Sequence, residues 1–194
     1  MTLCFATNNQ HKIAEIVNRV GNNLVIVSLK ELSVFEELPE TQNTFHANAE
    51  QKALYVFKKT GKPCFADDSG LQVQALNGEP GVFSARYAGS EKSDLKNTDL
   101  LLSNLEGKSN RTATFTTVIA LAGFGTTKFF DGSIEGTIAN HPRGSNGFGY
   151  DPVFIPQGYS LTFAEMTLAQ KNAISHRALA TKKLIEFLNS FDGK

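Results

Sequence analysis

The sequence has no tryptophan, only two cysteines and no excess of either charge. Its 194 residues include 19 basic and 19 acidic side chains, so the formal net charge at pH 7 is zero. A chain with this balance has no long-range field to attract nucleic acid or an acidic membrane, and local groups must hold any anionic ligand. Cys4 and Cys64 lie in apolar segments outside any CxxC or Cys/His cluster, which indicates buried thiols rather than a metal or redox motif.

Long apolar segments are also missing. Because no 18 apolar residues run together, the sequence predicts no membrane span, and its first residues lack the basic leader of a signal peptide. We therefore expect a cytoplasmic protein that has no membrane partner. Repeats, linkers and low-complexity stretches are absent as well, and 41% hydrophobic content in 194 residues is enough for one globular domain over residues 1–194.

The hydrophobic pattern predicts an α/β domain with a mixed sheet. Its opening is a β-α-β unit, with a strand over residues 2–6, a helix over residues 11–20 that ends at Gly21, and a strand over residues 24–29. The next predicted elements are a helix from Thr44 to Gly61, a strand over 63–66, a break at Ser69-Gly70, an alternating strand-like run over 71–75 and a helix over 93–105. An antiparallel hairpin over 112–122 and 126–139, a loop over 140–149 and a strand over 152–155 follow. The last two helices begin at Thr167 and Ser175, and the final one is expected to pack Leu179, Leu184, Ile185 and Leu188 inward.

The segment from Thr7 to Lys12 lies where the first strand meets the first helix. Free backbone N–H groups and the positive end of the helix dipole meet at such a corner, which favours phosphate. The segment lacks GxxxxGK[ST] and GxGxxG, so it is neither the common P-loop nor a dinucleotide turn. The alternative is an ordinary capped turn with a solvated lysine. The candidate phosphate contacts are Thr7, Asn8, Asn9, Gln10, His11 and Lys12.

Two adjacent carboxylates, Asp67 and Asp68, follow an apolar strand. Side chains alternate along a strand, so we expect one of the two to face inward and the other outward. A carboxylate at the carboxyl end of a strand can hold a hard cation or take a proton from water. Glu40 offers a second oxygen ligand from a separate loop, and Lys52 lies in the middle of a helix. The alternative for Asp67 and Asp68 is an ordinary Asp-Asp-Ser-Gly turn. For Glu40 it is a solvated acidic loop, and for Lys52 a surface lysine.

Two further segments combine aromatic, glycine and basic residues. In Asn146–Pro152, Phe148 or Tyr150 can stack on a base, and Asp151 can accept hydrogen bonds from ring N–H groups. The alternative is a glycine-rich bend whose aromatic residues anchor it in the core. The second segment is Lys171–Arg177, in which Arg177 lies near a predicted helix N-terminus. Such an end prefers anions, so a cation there indicates a ligand. A basic surface turn is the alternative there.

These segments together resemble the inosine triphosphate pyrophosphatase family, which removes non-standard purine nucleoside triphosphates. The resemblance covers nearly the whole chain, and four blocks in the correct order are far more specific than any one of them. Asn8 stands where many relatives have glycine, and Tyr150 where some have tryptophan. The four blocks are Thr7-x-Asn9-x-x-Lys12, Phe65–Leu71 with Pro80-Gly81-x-x-Ser84-Ala85-Arg86-Tyr87, Gly147–Pro152, and Lys171–Arg177.

The resemblance implies an elongated mixed sheet flanked by helices, two lobes with a central substrate cleft, and a homodimer. It also implies that ITP, dITP and XTP are hydrolysed to the monophosphate and pyrophosphate, which keeps them out of DNA and RNA. By this resemblance Thr7 to Lys12 and Lys52 contact the triphosphate, Glu40 and Asp68 hold Mg²⁺, and Asp68 is the catalytic proton acceptor. The other implied substrate contacts are Ser69, Phe148, Gly149, Tyr150, Asp151, Lys171, His176 and Arg177.

Physical chemistry agrees with these implied roles. Expulsion of pyrophosphate requires positive charge near the leaving group, which magnesium and lysines provide. Hypoxanthine and xanthine carry a 6-oxo group that can accept from Arg177 or His176, whereas adenine offers a donor there. Two alternatives are a pyrophosphatase for modified pyrimidine or methylated nucleotides, as in the septum-formation-inhibitor relatives, and a nucleotide-binding regulator without catalysis. Nucleic-acid binding is disfavoured because no basic stripe exists.

Overall fold

A computed structural model of the chain describes residues 1–17, 19 and 24–191. The strands are β1 (Thr2–Phe5), β2 (Val25–Val27), β3 (Cys64–Val73), β4 (Thr112–Ala122), β5 (Lys128–Ile138) and β6 (Phe154–Pro156), hydrogen-bonded in the order β2-β1-β3-β4-β5-β6. The α-helices are α1 (Gln10–Val17), α2 (Phe45–Thr60), α3 (Asp94–Asn104), α4 (Leu168–Ile174) and α5 (His176–Phe191). Short 3-10 turns occur at Gln74–Leu76, Gly81–Arg86 and Phe163–Glu165.

The sheet is mixed, as predicted. Strand β1 runs parallel to β2 and β3, whereas β5 and β6 are antiparallel. The five residues between β4 and β5 are too few for a parallel crossover, so these neighbouring strands form the predicted antiparallel hairpin. The α/β class with helices flanking a mixed sheet is therefore confirmed. Within the described ranges, no helix is both long and apolar enough to cross a membrane.

The chain forms two compact units. The first contains Met1–Asp68, Thr117–Gly132 and Arg177–Lys194, and the second contains Ser69–Thr116 and Ser133–His176. In the first unit the strands are covered on both faces, because Leu3 and Phe5 join one buried cluster while Cys4 and Ala6 join another. The core of the second unit is built around aromatic side chains, with Phe115, Phe154 and Phe163 in mutual ring contact. One catalytic domain over residues 1–194 stays a prediction.

Helix ends follow their capping residues. The Thr44 side chain accepts a hydrogen bond from the backbone N–H of Ala47 at the start of α2, and Gly61 ends that helix in the left-handed conformation with φ of 66°. Thr167 and Gln170 form the predicted capping box of α4. Helix α1 reaches Val17, and the predicted continuation to residue 20 with its stop at Gly21 lies outside the described residues.

Several details of the sequence prediction are wrong. Strand β2 ends at Val27 and strand β5 begins at Lys128, each two residues short of its predicted bound. Strand β3 does not break at Ser69-Gly70 but continues for ten residues, because pairing within the sheet overrides the local turn preference. Strand β6 begins at Phe154, two residues later than predicted. In α5, Leu179 is 38% exposed, since the buried stripe at four-residue spacing consists of Ala180, Leu184 and Leu188.

Candidate active site

The first group of functional side chains in the first unit surrounds Asp68. Lys52 on α2 places its Nζ 2.5 Å from Glu40 Oε1 and 3.6 Å from Asp68 Oδ1. Asn48 lies one helical turn before Lys52, so both residues share a face of α2, and its Nδ2 donates to Asp68 Oδ2 at 3.1 Å. Lys52 is only 5% exposed, which excludes the surface-lysine alternative. We call Glu40, Asn48, Lys52 and Asp68 the carboxylate set.

Burial and neighbouring charges shift the pKa values of Asp68 and Lys52. Burial, together with the neighbouring Glu40 carboxylate, raises the pKa of Asp68 above its ordinary value, although Lys52 works in the opposite direction. Burial alone would lower the pKa of Lys52, but Asp68 and Glu40 outweigh it and the pKa is raised. Lys52 is therefore an ammonium ion, and Asp68 is a stronger base than an ordinary aspartate.

The carboxylate set has the chemistry of a hard-cation site. Oxygen atoms of Glu40 and Asp68 both approach one positive charge, the Lys52 ammonium group. Magnesium commonly uses only one or two protein carboxylates and completes its shell with water and substrate phosphate oxygens. Across residues 1–17, 19 and 24–191 there is no cluster of three or more His, Cys, Asp or Glu residues suited to a metal. Glu40 and Asp68 thus fit the predicted cation.

A second group in the first unit surrounds Asp67. Its Oδ1 accepts from Lys12 Nζ at 3.0 Å and its Oδ2 accepts from Arg177 Nε at 3.2 Å. Arg177 Nη1 also forms a short ion pair with Glu15. Burial would raise the pKa of Asp67, but Lys12 and Arg177 outweigh it and hold the pKa well below its ordinary value. We call Lys12, Glu15, Asp67 and Arg177 the buried ion network.

Adjacent positions on β3 explain why these two groups are separate. Asp67 contacts side chains from α1 and α5, whereas Asp68 contacts side chains from α2. The prediction that the two carboxylates point in different directions is therefore confirmed. The prediction that one of them faces outward is wrong, because Asp67 and Asp68 are 1% and 7% exposed. They also lie inside β3 rather than at its end, just past the point where the parallel strand β1 stops.

The segment before α1 combines capping with exposed polar groups. Asn9 Oδ1 accepts from the backbone N–H of Lys12 at 3.2 Å, and Thr7 Oγ1 accepts from the backbone N–H of Asn9 at 3.2 Å. Asn8, Gln10 and His11 have exposed side chains. The capped-turn alternative is thus correct in part, but the lysine of this turn is held by Asp67 rather than solvated. A phosphate contact for this segment stays a prediction.

The second unit contains a group with one ion pair and several aromatic rings. Lys171 Nζ lies 2.5 Å from Asp151 Oδ2, which also accepts from the backbone N–H of Phe148 at 2.9 Å. The same ammonium group lies 5.0 Å from the centroid of the Phe148 ring. Gly147 has φ of 76°, and a Cβ there would collide with the Asp151 carboxylate, so only glycine fits. We call Gly147 to Asp151 with Lys171 the aromatic set.

The two aromatic residues of this set differ in their surroundings. Tyr150 is buried, its hydroxyl donates to the Ser84 carbonyl at 2.9 Å, and burial raises its pKa. Tyr150 therefore has the contacts of a core anchor, while Phe148 is half-buried and keeps the character of a stacking residue. Asp94 also holds the segment from Gly147 to Asp151, because its Oδ2 accepts from the backbone N–H of Gly149 at 2.7 Å.

The remaining predicted residues fall into different units. His176 is buried in the second unit, where its ring stacks on Phe115 with centroids 4.5 Å apart and an interplanar angle of 3°. Its neighbour Arg177 belongs to the first unit and to the buried ion network, which explains the cation near the start of α5 without a ligand. Ser69 is half-buried on β3. A direct contact of these residues with substrate stays a prediction.

Sequence reasoning missed several residues that hold this site. Glu15 and Asn48 are polar residues on the apolar faces of α1 and α2, and such interruptions of a hydrophobic stripe could have identified them. Asp94 and Phe115 are not among the residues that the sequence predicts for the site. No sequence signal links these two to their partners, which are 55 and 61 positions away.

Buried lysines beside carboxylates that fit a hard cation, on an α/β fold, are typical of enzymes that act on phosphorylated substrates. Comparison with known proteins makes this more specific. The family model described as the Ham1 family matches residues 3–187, and the chain belongs to that family.

Full-length relatives agree with this membership. The dITP/XTP pyrophosphatase of Porphyromonas gingivalis is 52% identical over 187 residues, covering 96% of each chain. That of Flavobacterium psychrophilum is 48% identical over 190 residues, covering 98% of this chain and all of the relative. The structure of the Staphylococcus aureus Ham1 protein has a TM-score of 0.90 and 41% identity, covering 98% of this chain and 99% of that one. The resemblance drawn from the four sequence blocks is thereby confirmed.

Proposed function

We propose that this chain hydrolyses the deaminated purine nucleoside triphosphates ITP, dITP and XTP to the monophosphate and pyrophosphate. The observation that carries this proposal is membership in the Ham1 family together with full-length relatives named dITP/XTP pyrophosphatase. The chain is accordingly a hydrolase of phosphorus-containing acid anhydrides. Because polymerases need triphosphates, conversion to monophosphates removes these nucleotides as precursors and prevents their incorporation into DNA and RNA.

The carboxylate set supplies the groups for the chemical step. Asp68 accepts a proton from the attacking water, whose oxygen bonds to the α-phosphorus while the bond from that phosphorus to the bridging oxygen breaks. The hydrogen bond from Asn48 supports this role, because it holds the Asp68 carboxylate in a fixed position. Lys52 provides positive charge for the triphosphate. Glu40 and Asp68 would hold Mg²⁺, which when bound neutralises charge that develops on the leaving pyrophosphate.

Lys12 and the segment before α1 would bind the triphosphate together with Lys52. Lys12 adds a second ammonium group, and the polar residues Thr7, Asn8, Asn9, Gln10 and His11 surround the start of α1, where backbone N–H groups favour anions. Asp67 positions both Lys12 and Arg177. The support for this assignment is that carboxylates of the same unit hold the cations Lys12 and Lys52 in fixed positions.

The aromatic set would bind the base. Phe148 offers a ring face, and Gly149 leaves room for a flat ligand to approach the backbone. Asp151, Lys171 and His176 are polar groups within or beside this aromatic surrounding, and Tyr150 anchors it. Ser69 on β3 is a further proposed substrate contact. Arg177 would donate to the 6-oxo group that hypoxanthine and xanthine share. Replacement of Arg177 by alanine is then expected to lower the ratio of the ITP hydrolysis rate to the ATP hydrolysis rate.

The proposal also includes a cellular setting. A substrate from the nucleotide pool favours a cytoplasmic location and a small-molecule partner rather than nucleic acid or membrane, in keeping with zero formal net charge. We further propose a homodimer, as the family resemblance implies. Sedimentation of the purified chain would test the dimer independently of activity.

A substrate panel tests the activity. Pyrophosphate release would be measured for ITP, dITP, XTP, ATP, GTP and a methylated pyrimidine triphosphate, with Mg²⁺ and with EDTA. We expect release from the first three only, and only with Mg²⁺. Preference for the pyrimidine would favour the septum-formation-inhibitor alternative. Binding without release from any nucleotide would favour a regulator that has lost catalysis, and either result would overturn the proposal.

Metal binding needs a test other than turnover. Mn²⁺ titration followed by paramagnetic broadening of histidine ring signals would report the cation even in an inactive protein. We expect saturable binding that weakens when Glu40 is replaced by glutamine. The matched control is the same change at the half-buried Glu50 on helix α2. Unchanged Mn²⁺ affinity in Glu40→Gln would remove Glu40 from the metal site.

A further inference from the structure

A cavity of about 490 Å³ lies entirely within the second unit, and no residue of the candidate active site lines it. The segment that leads into β4, the last residues of β5, the segment that follows β5 and one residue of β6 form its walls. Its volume falls within the range of about 300–1,000 Å³ that is usual for small-molecule sites. The lining residues are Ser109, Asn110, Arg111, Thr112, Thr137, Ile138, Ala139, Asn140, His141, Arg143 and Ile155.

The lining is basic. Arg111, His141 and Arg143 contribute to it, and none of the described residues that line the cavity is Asp or Glu. Hydroxyl and amide groups add further hydrogen-bond donors, while Ile138 and Ile155 provide an apolar portion. A wall with this composition attracts an anion that also carries an organic part.

Arg111 is held in place without being neutralised. Its Nε donates to the Ile138 carbonyl at 2.7 Å, its Nη2 to the Ala139 carbonyl at 2.8 Å and its Nη1 to the Leu105 carbonyl at 3.3 Å. Carbonyl oxygens orient a guanidinium group but leave its positive charge intact. Since a guanidinium group has five N–H donors, two remain beyond these three bonds. Arg111 therefore presents a fixed cation at the cavity.

Arg143 supplies the second cation and a donor without an acceptor. Its Nη2 donates to the Ser160 carbonyl at 2.9 Å and lies 3.5 Å from the Glu165 carboxylate, which offsets part of its charge. Its Nε is enclosed, yet among the described residues it meets no hydrogen-bond acceptor. An enclosed N–H group of a charged side chain is costly unless something accepts from it.

We propose that this cavity binds a phosphorylated small molecule of mononucleotide size, at a site separate from the catalytic one. Two arginines suit phosphate oxygens because the guanidinium fork matches their geometry. The volume exceeds what a bare phosphate fills, and the isoleucine side chains provide a surface for the remainder of the ligand. The site does not depend on the proposed activity, so either can fail without the other.

The four histidines make the test specific, because each reports a different part of the chain. His141 lines the cavity, His11 and His176 belong to the candidate active site, and His46 pairs with Asp131 elsewhere. Ring signals would be followed by NMR, without Mg²⁺ and at constant ionic strength, during titration with inosine monophosphate, pyrophosphate or inorganic phosphate. We expect saturable shifts at His141, tightest with inosine monophosphate, while His46 stays unchanged.

Two variants decide whether the cavity is responsible. Ser109→Glu places a carboxylate on the exposed wall, with Ser109→Gln as its isosteric control, and Arg143→Gln removes the second cation. We expect Ser109→Glu and Arg143→Gln to raise the dissociation constant seen at His141 by about tenfold or more, the scale of one lost charged hydrogen bond, and Ser109→Gln to leave it unchanged. Pyrophosphatase activity should persist in both Ser109 variants.

Several results would overturn the proposal. His141 signals that stay still while His11 or His176 respond would show that the ligand binds elsewhere. Parallel, non-saturating shifts at His141 and His46 would show an unspecific ionic effect. A His141 response that survives Ser109→Glu would exclude this cavity, even if Arg143→Gln fails to fold. Equal affinity for inorganic phosphate and inosine monophosphate would refute the mononucleotide-sized ligand.

Discussion

The two units solve the problem of buried charge in different ways. In the first unit two neighbouring carboxylates on β3 are surrounded by three cations from three helices, Lys12, Lys52 and Arg177. In the second unit the aromatic set buries a single ion pair, Lys171 with Asp151, beside the ring of Phe148. Fixed charges at high density suit a polyphosphate and its metal, whereas one ion pair beside aromatic rings suits a flat and nearly neutral base.

Substitutions in the two units should therefore affect different properties of the protein. Removal of one member of the first unit's network leaves other buried charges without a partner, so stability and catalysis are both at risk. In the second unit backbone contacts to Asp151, Ser84 and Asp94 hold the segment as well, so a side-chain change there should act mainly on substrate affinity. Four substitutions test this contrast, in order of decreasing effect.

Asp68→Asn should have the largest effect. Loss of the proton acceptor is expected to lower kcat for XTP by roughly 100- to 10,000-fold, with the fold retained because asparagine is isosteric. Pyrophosphate release and circular dichroism would be measured together, and Asp99→Asn, at an exposed position, serves as the control. Near-normal turnover in a folded Asp68→Asn protein would refute the catalytic assignment.

Glu15→Ala should destabilise the first unit. Arg177 would keep Asp67 but lose its second carboxylate in a buried site, which we expect to cost about 3 kcal/mol in the free energy of unfolding. Urea denaturation measures this free energy of unfolding. The matched control is Glu91→Ala, which removes the exposed pair with Lys96 and should not change stability beyond experimental error. Equal effects of the two substitutions would contradict the buried network as a source of stability.

Asn48→Ala should lower kcat by about tenfold while KM stays nearly constant, because the lost hydrogen bond orients Asp68 rather than the substrate. Gln51→Ala on the same helix removes hydrogen bonds to the exposed Thr41 rather than to Asp68, so it should lower kcat less than Asn48→Ala does. Steady-state kinetics with XTP separates the two parameters. A rise in KM at constant kcat would assign Asn48 to substrate binding instead.

Phe148→Leu should have the smallest effect and the opposite kinetic signature. Loss of the aromatic face is expected to raise KM for XTP by about fivefold, with little change in kcat, on the scale of one aromatic stacking contact. Phe129→Leu, which removes an exposed ring from the first unit, is the control. A change in kcat alone would contradict the division of roles between the carboxylate and aromatic sets.

Much of the local structure could be predicted because the signals lie close together in the chain. The caps at Thr44, Gly61 and Thr167 are short-range hydrogen bonds, and the apolar stripe of α2 follows from helical periodicity. The break predicted at Ser69-Gly70 failed for the converse reason. A turn preference is local, whereas the pairing that keeps β3 continuous through Ser69-Gly70 comes from strands that lie far away in sequence.

The sequence by itself determined the family, the α/β class and the residue types of the site, because ordered motifs and periodic patterns are properties of the linear chain. Only the tertiary structure decided that Asp67 binds Lys12 and Arg177 while Asp68 faces Lys52 and Asn48. Glu15 likewise acquires its role from a partner 162 positions away. Electrostatic pairing depends on distance in space and on burial, and neither quantity is written in the order of the residues.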